Sequence, residues 1–184
     1  MIEGYFDFPN FYTRLAAEAP LNAQLAEVGV WKGASACFLG HALTRRFDAG
    51  KMTLWCVDTF RGSDEHSAAD QAELAESYGK IWRTFNSNVA DEGLRGIMVP
   101  VIMDSVEAAK LFRDGSLFAV YIDAKHDYAS AKKDILAWLP KVTNGGYISG
   151  HDYVPEWGVK QAVDEVFGAA VQRSDVSTWF VKIV

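Results

Sequence analysis

The stretch Leu25-Ala26-Glu27-Val28-Gly29-Val30-Trp31-Lys32-Gly33-Ala34-Ser35 constrains this chain more than any other. It reads as a short buried strand closing on an acid, a tight turn with two glycines, and an alanine-rich helix that starts at Ala34 or Ser35. Glycine takes positive φ and lets backbone approach a ligand closely. A helix that begins right after a strand aims free N–H groups, and the positive end of its dipole, at whatever lies above the sheet. Such a unit belongs at the carboxyl end of a first parallel strand, where nucleotide-type cofactors sit. The spacing is G-x-x-x-G. It differs from the G-x-G-x-x-G of dinucleotide binders, and no Gly-Lys-Ser/Thr follows to make a P-loop. An ordinary strand–turn–helix with structural glycines is the plainer reading of the same residues.

Strand-like and helix-like stretches alternate from Leu25 to about Ala170. This pattern predicts an α/β fold: a Rossmann-like, doubly wound, mostly parallel sheet with helices on both faces and a final antiparallel strand. Strands are expected at 24–28, 52–57, 97–103 and 117–122, with Pro100 placing the third at an edge or a bulge. Helices are expected from Ser35 to about Phe47, from a cap at Ser105, from Tyr128 to Leu139, and through Val159, Ala162, Val163, Val166 and Phe167. Asn144-Gly145-Gly146 reads as a turn into a short strand at 147–149, and 177–184 as the last strand. At 184 residues the chain is expected to form a single domain. A polar, turn-rich insertion, 61–92, reads equally as a solvated helical excursion or as a lid.

Composition narrows the class. A net charge of −6 argues against a broad nucleic-acid footprint, which needs a basic face. No apolar run approaches the ~20 residues of a membrane span, and the acidic, aromatic start does not resemble a signal peptide. Cys37 and Cys56 lie in apolar runs without C-x-x-C spacing, as expected of reduced core residues in a cytoplasmic protein.

Ligands of open parallel sheets bind beyond the carboxyl ends of the strands. Acids cluster there: Glu27, Asp58, Asp104 and Asp123 follow four strands, and His151-Asp152 follows a fifth. At this point a resemblance becomes specific. Ala26 to Ser35 resembles the first motif of class I S-adenosylmethionine-dependent methyltransferases, and Val57-Asp58-Thr59-Phe60 resembles their second, acidic motif. Tyr121 to Tyr128, Gly145 to Tyr153 and Gly158 to Val163 resemble the bacterial family of macrocin-type sugar O-methyltransferases and cephalosporin-hydroxylase-like proteins. The likeness covers about residues 24–168.

The resemblance implies that Glu27, Gly29 and Gly33 surround the methionine part of S-adenosylmethionine and that Asp58, with Thr59, holds the ribose. Asp104 and Ser105 would flank the adenine. Asp123 would serve both the cofactor and a divalent cation, magnesium or manganese, held with Asp152 and with His151 as third ligand. His151 stands where relatives carry an acid, and Lys125 or a protonated His151 could neutralise the carboxylates instead. His151 and His126 are the candidate general bases. Trp31, Tyr128, Tyr153 and Trp157 are either pocket lining or core. The implied activity is methyl transfer to a hydroxyl of a small molecule such as a sugar, with no nucleic acid or membrane partner and with room for a homo-oligomer. A cofactor-binding protein without turnover is the alternative, and a nicotinamide-dependent oxidoreductase is disfavoured by the glycine spacing.

Overall fold

Apolar side chains alternate between two faces along the strands, and this decides the layering. The computed structural model describes residues 2–47, 51–62 and 79–184. It contains the strands β1 (Gln24–Val28), β2 (Thr53–Asp58), β3 (Met98–Ile102), β4 (Leu117–Ile122), β5 (Val142–Gly150), β6 (Gln172–Ser174) and β7 (Thr178–Lys182). The helices are α1 (Pro9–Glu18), α2 (Ala34–Thr44), α3 (Lys80–Asp91), α4 (Ser105–Ala109), α5 (Tyr128–Trp138) and α6 (Gly158–Phe167). The strands form one sheet in the order β3-β2-β1-β4-β5-β7-β6. The first five run parallel, and β7 is antiparallel to both β5 and β6. Chain order reverses between β1 and β4, so the crevice above this pair is the switch point where open α/β sheets bind ligands.

In β4, Ala119 and Tyr121 face one core while Val120 and Ile122 face the other. The first core also takes Leu25, Leu54 and Cys56 from the sheet and packs α1, α2 and α3 on that face. The second takes Ala26, Val28 and Val57 and is covered by α4, α5 and α6. Both cysteines are buried thiols. No helix among the described residues is long and apolar enough to cross a membrane.

Pro100 sits in the edge strand, where its missing N–H leaves no ladder bond unmade. Two details differ from the sequence reading. Asn144, Gly145 and Gly146 do not turn the chain; they lie inside β5, whose register against β4 shifts between Leu117 and Ala119. A Cβ on Gly146 would come within 2.4 Å of the Phe118 carbonyl oxygen, so the glycine permits the bulge. The helix α4 is capped by Asp104, whose carboxylate accepts from the N–H groups of Val106 and Glu107, and not by Ser105.

The helix α1 and the short β6 were not legible in the sequence. Pro9 occupies the first turn of α1. Its capping comes from elsewhere: Asp175, in the β6–β7 turn, accepts from the N–H groups of Asn10 and Phe11. The 61–92 segment is described only in part, since 63–78 lie outside the described residues. Its second half is α3, the crossover helix, which buries Ile81, Phe85 and Val89 against the first core.

Candidate cofactor and catalytic site

Glu27 closes β1 and is fully buried. Ser35, in the first turn of α2, donates its hydroxyl to Glu27 Oε1 at 2.5 Å, while Oε2 has no hydrogen-bond partner. The buried Tyr12 hydroxyl of α1 faces this carboxyl without closing a well-formed bond of its own. Burial pushes the Glu27 carboxyl up to about 8, against the Ser35 bond and with help from the charges of Asp123 and Asp58. Glu27 therefore keeps a proton at neutral pH unless a cation reaches Oε2.

Gly29 has a φ of +89°, and a Cβ there would lie 1.8 Å from the Asp123 carbonyl oxygen. The residue must be glycine because the backbone after β4 presses against it. Gly33, with a φ of +91°, caps α2, and a Cβ would meet the Phe85 ring at 3.0 Å. Two neighbouring non-glycine residues, Trp31 and Phe60, also take positive φ. Both donate their N–H groups to Asp58: Trp31 to Oδ2 at 2.9 Å and Phe60 to Oδ1 at 2.7 Å. Such backbone is strained and persists where its surroundings over-determine it. Here it fixes both oxygens of one carboxylate at the mouth of a cleft.

That cleft has a volume of about 520 Å³. Six of the eight cofactor residues expected from sequence line it: Gly29, Asp58, Thr59, Asp104, Ser105 and Asp123. Glu27 and Gly33 are not among the residues that line it. The size suits a cofactor or drug-sized ligand. Trp31 lines the cleft too, and so does Asp134 of α5, which sequence reasoning missed. A second cavity of about 460 Å³ adjoins it across Thr59, Met103 and Asp104 and is bordered by Arg61, Lys80 and Trp82 of the 61–92 segment.

At the β4 and β5 ends of the sheet, carboxylates and imidazoles meet. Asp123, His126 and Asp152 each offer one ligand atom, all within 4.8 Å of one another. The His126 Nε2 lies 2.9 Å from Asp152 Oδ2. The His151 Nδ1 lies 3.2 Å from the same oxygen and 3.8 Å from Asp123 Oδ1. The other ring nitrogen of His151 turns away, to Asp7 Oδ1 at 2.8 Å and Ser177 Oγ at 2.7 Å. It is thus His126, and not His151, that completes the mutually close set.

The charges follow from this packing. Burial lifts Asp123 to about 6, opposed by the His151 charge. Burial also acts to raise Asp152, but bonds from His126 and His151 outweigh it and hold the carboxyl well below the usual range. For His151, burial pulls down while the Asp152 bond, the charges of Asp123 and Asp152 and the Asp7 bond carry it up to about 9. His151 is thus an imidazolium at neutral pH and the counter-charge of the acidic pair. Lys125, the other candidate for that role, is exposed on the cleft wall. Asp7 and Ser177 escaped sequence reasoning because they lie 144 and 26 residues from His151. The flanking Phe6 and Phe8, which anchor Asp7 in the first core, were the available signal.

Comparison with known proteins agrees with this geometry. The methyltransferase domain family matches residues 26–153. Demethyldecarbamoylnovobiocin O-methyltransferase of Streptomyces niveus is 30% identical over 154 residues, which is 77% of this chain and 56% of that enzyme. The chain thus spans about half the length of this curated relative. The O-methyltransferase NovP superimposes with a TM-score of 0.67 at 19% identity, over 96% of this chain and 79% of NovP. A Streptococcus mutans protein described as a methyltransferase, solved in complex with SAH, superimposes with a TM-score of 0.66 at 9% identity, over 99% of this chain and 100% of its own. Structures of rRNA methylases share the fold as well. With the glycine turn, the acid after β2 and the matched 26–153 segment in one fold, this chain belongs to the methyltransferase domain family.

Proposed function

We propose that the protein transfers the methyl group of S-adenosylmethionine to a hydroxyl of a small molecule, a sugar or sugar-like acceptor being the favoured class. The observation that carries this reading is the cleft above the switch point, walled by six residues of the expected cofactor set, with Asp58 held at its mouth by two N–H groups. The orphaned Oε2 of Glu27 fits a cofactor that carries an ammonium and a sulfonium. The curated relative is named as an O-methyltransferase, which supports an oxygen acceptor. A net charge of −6 favours a small acceptor over RNA, although rRNA methylases share the fold.

Methyl transfer is an in-line displacement. The acceptor oxygen attacks the methyl carbon, the sulfonium sulfur takes the bonding pair, and the hydroxyl proton leaves to a base. His151 keeps its proton, so His126, bonded to Asp152, is the better candidate base. Asp123, His126 and Asp152 also form a mixed oxygen and nitrogen donor set that fits a divalent cation. Such a cation would supply acidity to a bound hydroxyl. The imidazolium of His151 competes with it for the same carboxylates.

The test is turnover with a panel of sugars, phenols and a short RNA, read as SAH release and mass gain of the acceptor. A hydroxylated small molecule should be methylated and the RNA should not. Methylation of the RNA alone would overturn the reading. Repeating the assay after chelation, then with magnesium or manganese restored, separates the routes. Full activity in the chelated enzyme assigns the base role to His126, and its loss and recovery assign the donor set to a cation.

A further inference from the structure

Trp179 of β7 carries a donor that the protein itself does not satisfy. The residue is 1% exposed and belongs to the second core, and its Nε1 has no hydrogen-bond partner among the described residues. Buried donors are almost always paired, because desolvation without a bond is costly. The place of this nitrogen is set by the sheet. Trp179 pairs with Gly150 across the antiparallel β5–β7 ladder, and a Cβ on Gly150 would come within 2.8 Å of Nε1. Glycine at 150 therefore lets the indole nitrogen lie against the end of β5, just before His151 and Asp152. Trp179 also lines a small cavity of about 10 Å³. It shares that cavity with Asp123, His126, His151 and Asp152, together with apolar side chains of β4, α5 and α6.

We propose that this cavity is a binding site for one water molecule, which accepts the Trp179 N–H and donates to the carboxylate of Asp123. The volume admits about one water. Chemistry excludes the other small occupants. A metal ion or an ammonium cannot accept from an indole nitrogen, which only donates. An anion would stand against two carboxylates. Water accepts on one side and donates on the other. Asp123 is the acceptor with capacity to spare. Asp152 Oδ2 already takes His126 at 2.9 Å and His151 at 3.2 Å, whereas His151 Nδ1 stands 3.8 Å from Asp123 Oδ1, beyond hydrogen-bond reach. Asp123 lines both this cavity and the cleft of about 520 Å³. A bond from the cavity side holds its carboxylate and sets how it is presented to the cleft, which makes Trp179 a positioning residue. That role rests on the functional reading above; the water site stands without it.

A crystal structure of the wild-type protein, at a resolution that shows internal water, tests the site. One oxygen should lie about 2.7–3.2 Å from both Trp179 Nε1 and an Asp123 carboxylate oxygen. A dry cavity overturns the proposal. So does density bonded to the carboxylates at about 2.0–2.6 Å and out of reach of Nε1, the signature of a metal ion. The positioning role is read in solution from the carboxyl carbon NMR signal of Asp123, assigned by its loss in Asp123→Asn. Benzothienylalanine incorporated at position 179 keeps the shape of the ring and puts sulfur in place of the N–H. It should shift that signal and, in the crystal, release the water. Phe167→Leu alters packing on the same indole, at a ring distance of 5.8 Å, but leaves the N–H, and it should do neither. An Asp123 signal unmoved by the sulfur isostere, or moved as far by Phe167→Leu, overturns the role. Neither readout involves SAH, so a protein that fails to bind SAH loses the functional reading and not the water site.

Discussion

A single carboxyl, Glu27, holds the clearest conflict between stability and function. Burial lifts its pKa to about 8, so the folded protein holds a proton that the unfolded chain releases near 4.5. Between those values the native state binds more protons than the unfolded state, and stability falls as pH rises. Glu27→Gln removes that dependence. The variant should match the wild-type protein near pH 5 and unfold at a higher temperature near pH 9, by about 2–4 °C for each kcal/mol recovered in a protein of this size. The same variant should bind SAH more weakly, because a neutral amide cannot answer an ammonium. Thermal melts at the two pH values check the first half. Identical melts at pH 9 would mean that the Glu27 carboxyl is already ionised in the fold at no cost. Residues of this kind were half legible. The acid and its place at a strand end could be read from the chain, whereas the Ser35 bond and the orphaned oxygen depend on packing that brings α1 and α2 over it.

Among the elements, the turn between β1 and α2 owes its glycine to a neighbour rather than to the ligand alone. With a Cβ only 1.8 Å from the Asp123 carbonyl, Gly29→Ala must separate β1 from the β4 loop. Strain and overpacking together should lower stability by roughly 3 kcal/mol or more. Urea unfolding measures this, and a wild-type midpoint would show that the two loops do not meet as described. Elements with strong local signals were legible: the parallel strands, the edge role of Pro100, and the buried faces of α5 and α6. The helix α1 was not, because its N-terminus is capped by Asp175 from across the molecule and its buried face waits on aromatic partners from β4, β5 and β7. The bulge in β5 was misread as a turn because Asn-Gly-Gly suits both; the deciding contact is with Phe118 on the neighbouring strand.

At the scale of the whole molecule, the sheet order explains why chemistry gathers where it does. The reversal between β1 and β4 opens one crevice, and β1, β2, β3, β4 and β5 each deliver an acid or its neighbour to that rim. At the β5 end of the rim, groups from both ends of the chain, Asp7 near the start and Ser177 near the finish, close on His151. Local patterning could locate the rim but not this closure, which depends on long-range placement of α1 and the β6–β7 hairpin. The central claim is that the crevice holds the methyl-donor cofactor with Asp58 on its ribose. Calorimetric titration of SAH into the wild-type protein and Asp58→Ala tests it most directly. One SAH should bind per chain, and the variant, still folded, should bind on the order of tenfold to a hundredfold more weakly as its charge-assisted bonds are lost. Absence of binding to the wild-type protein, or unchanged affinity in Asp58→Ala, would contradict the account.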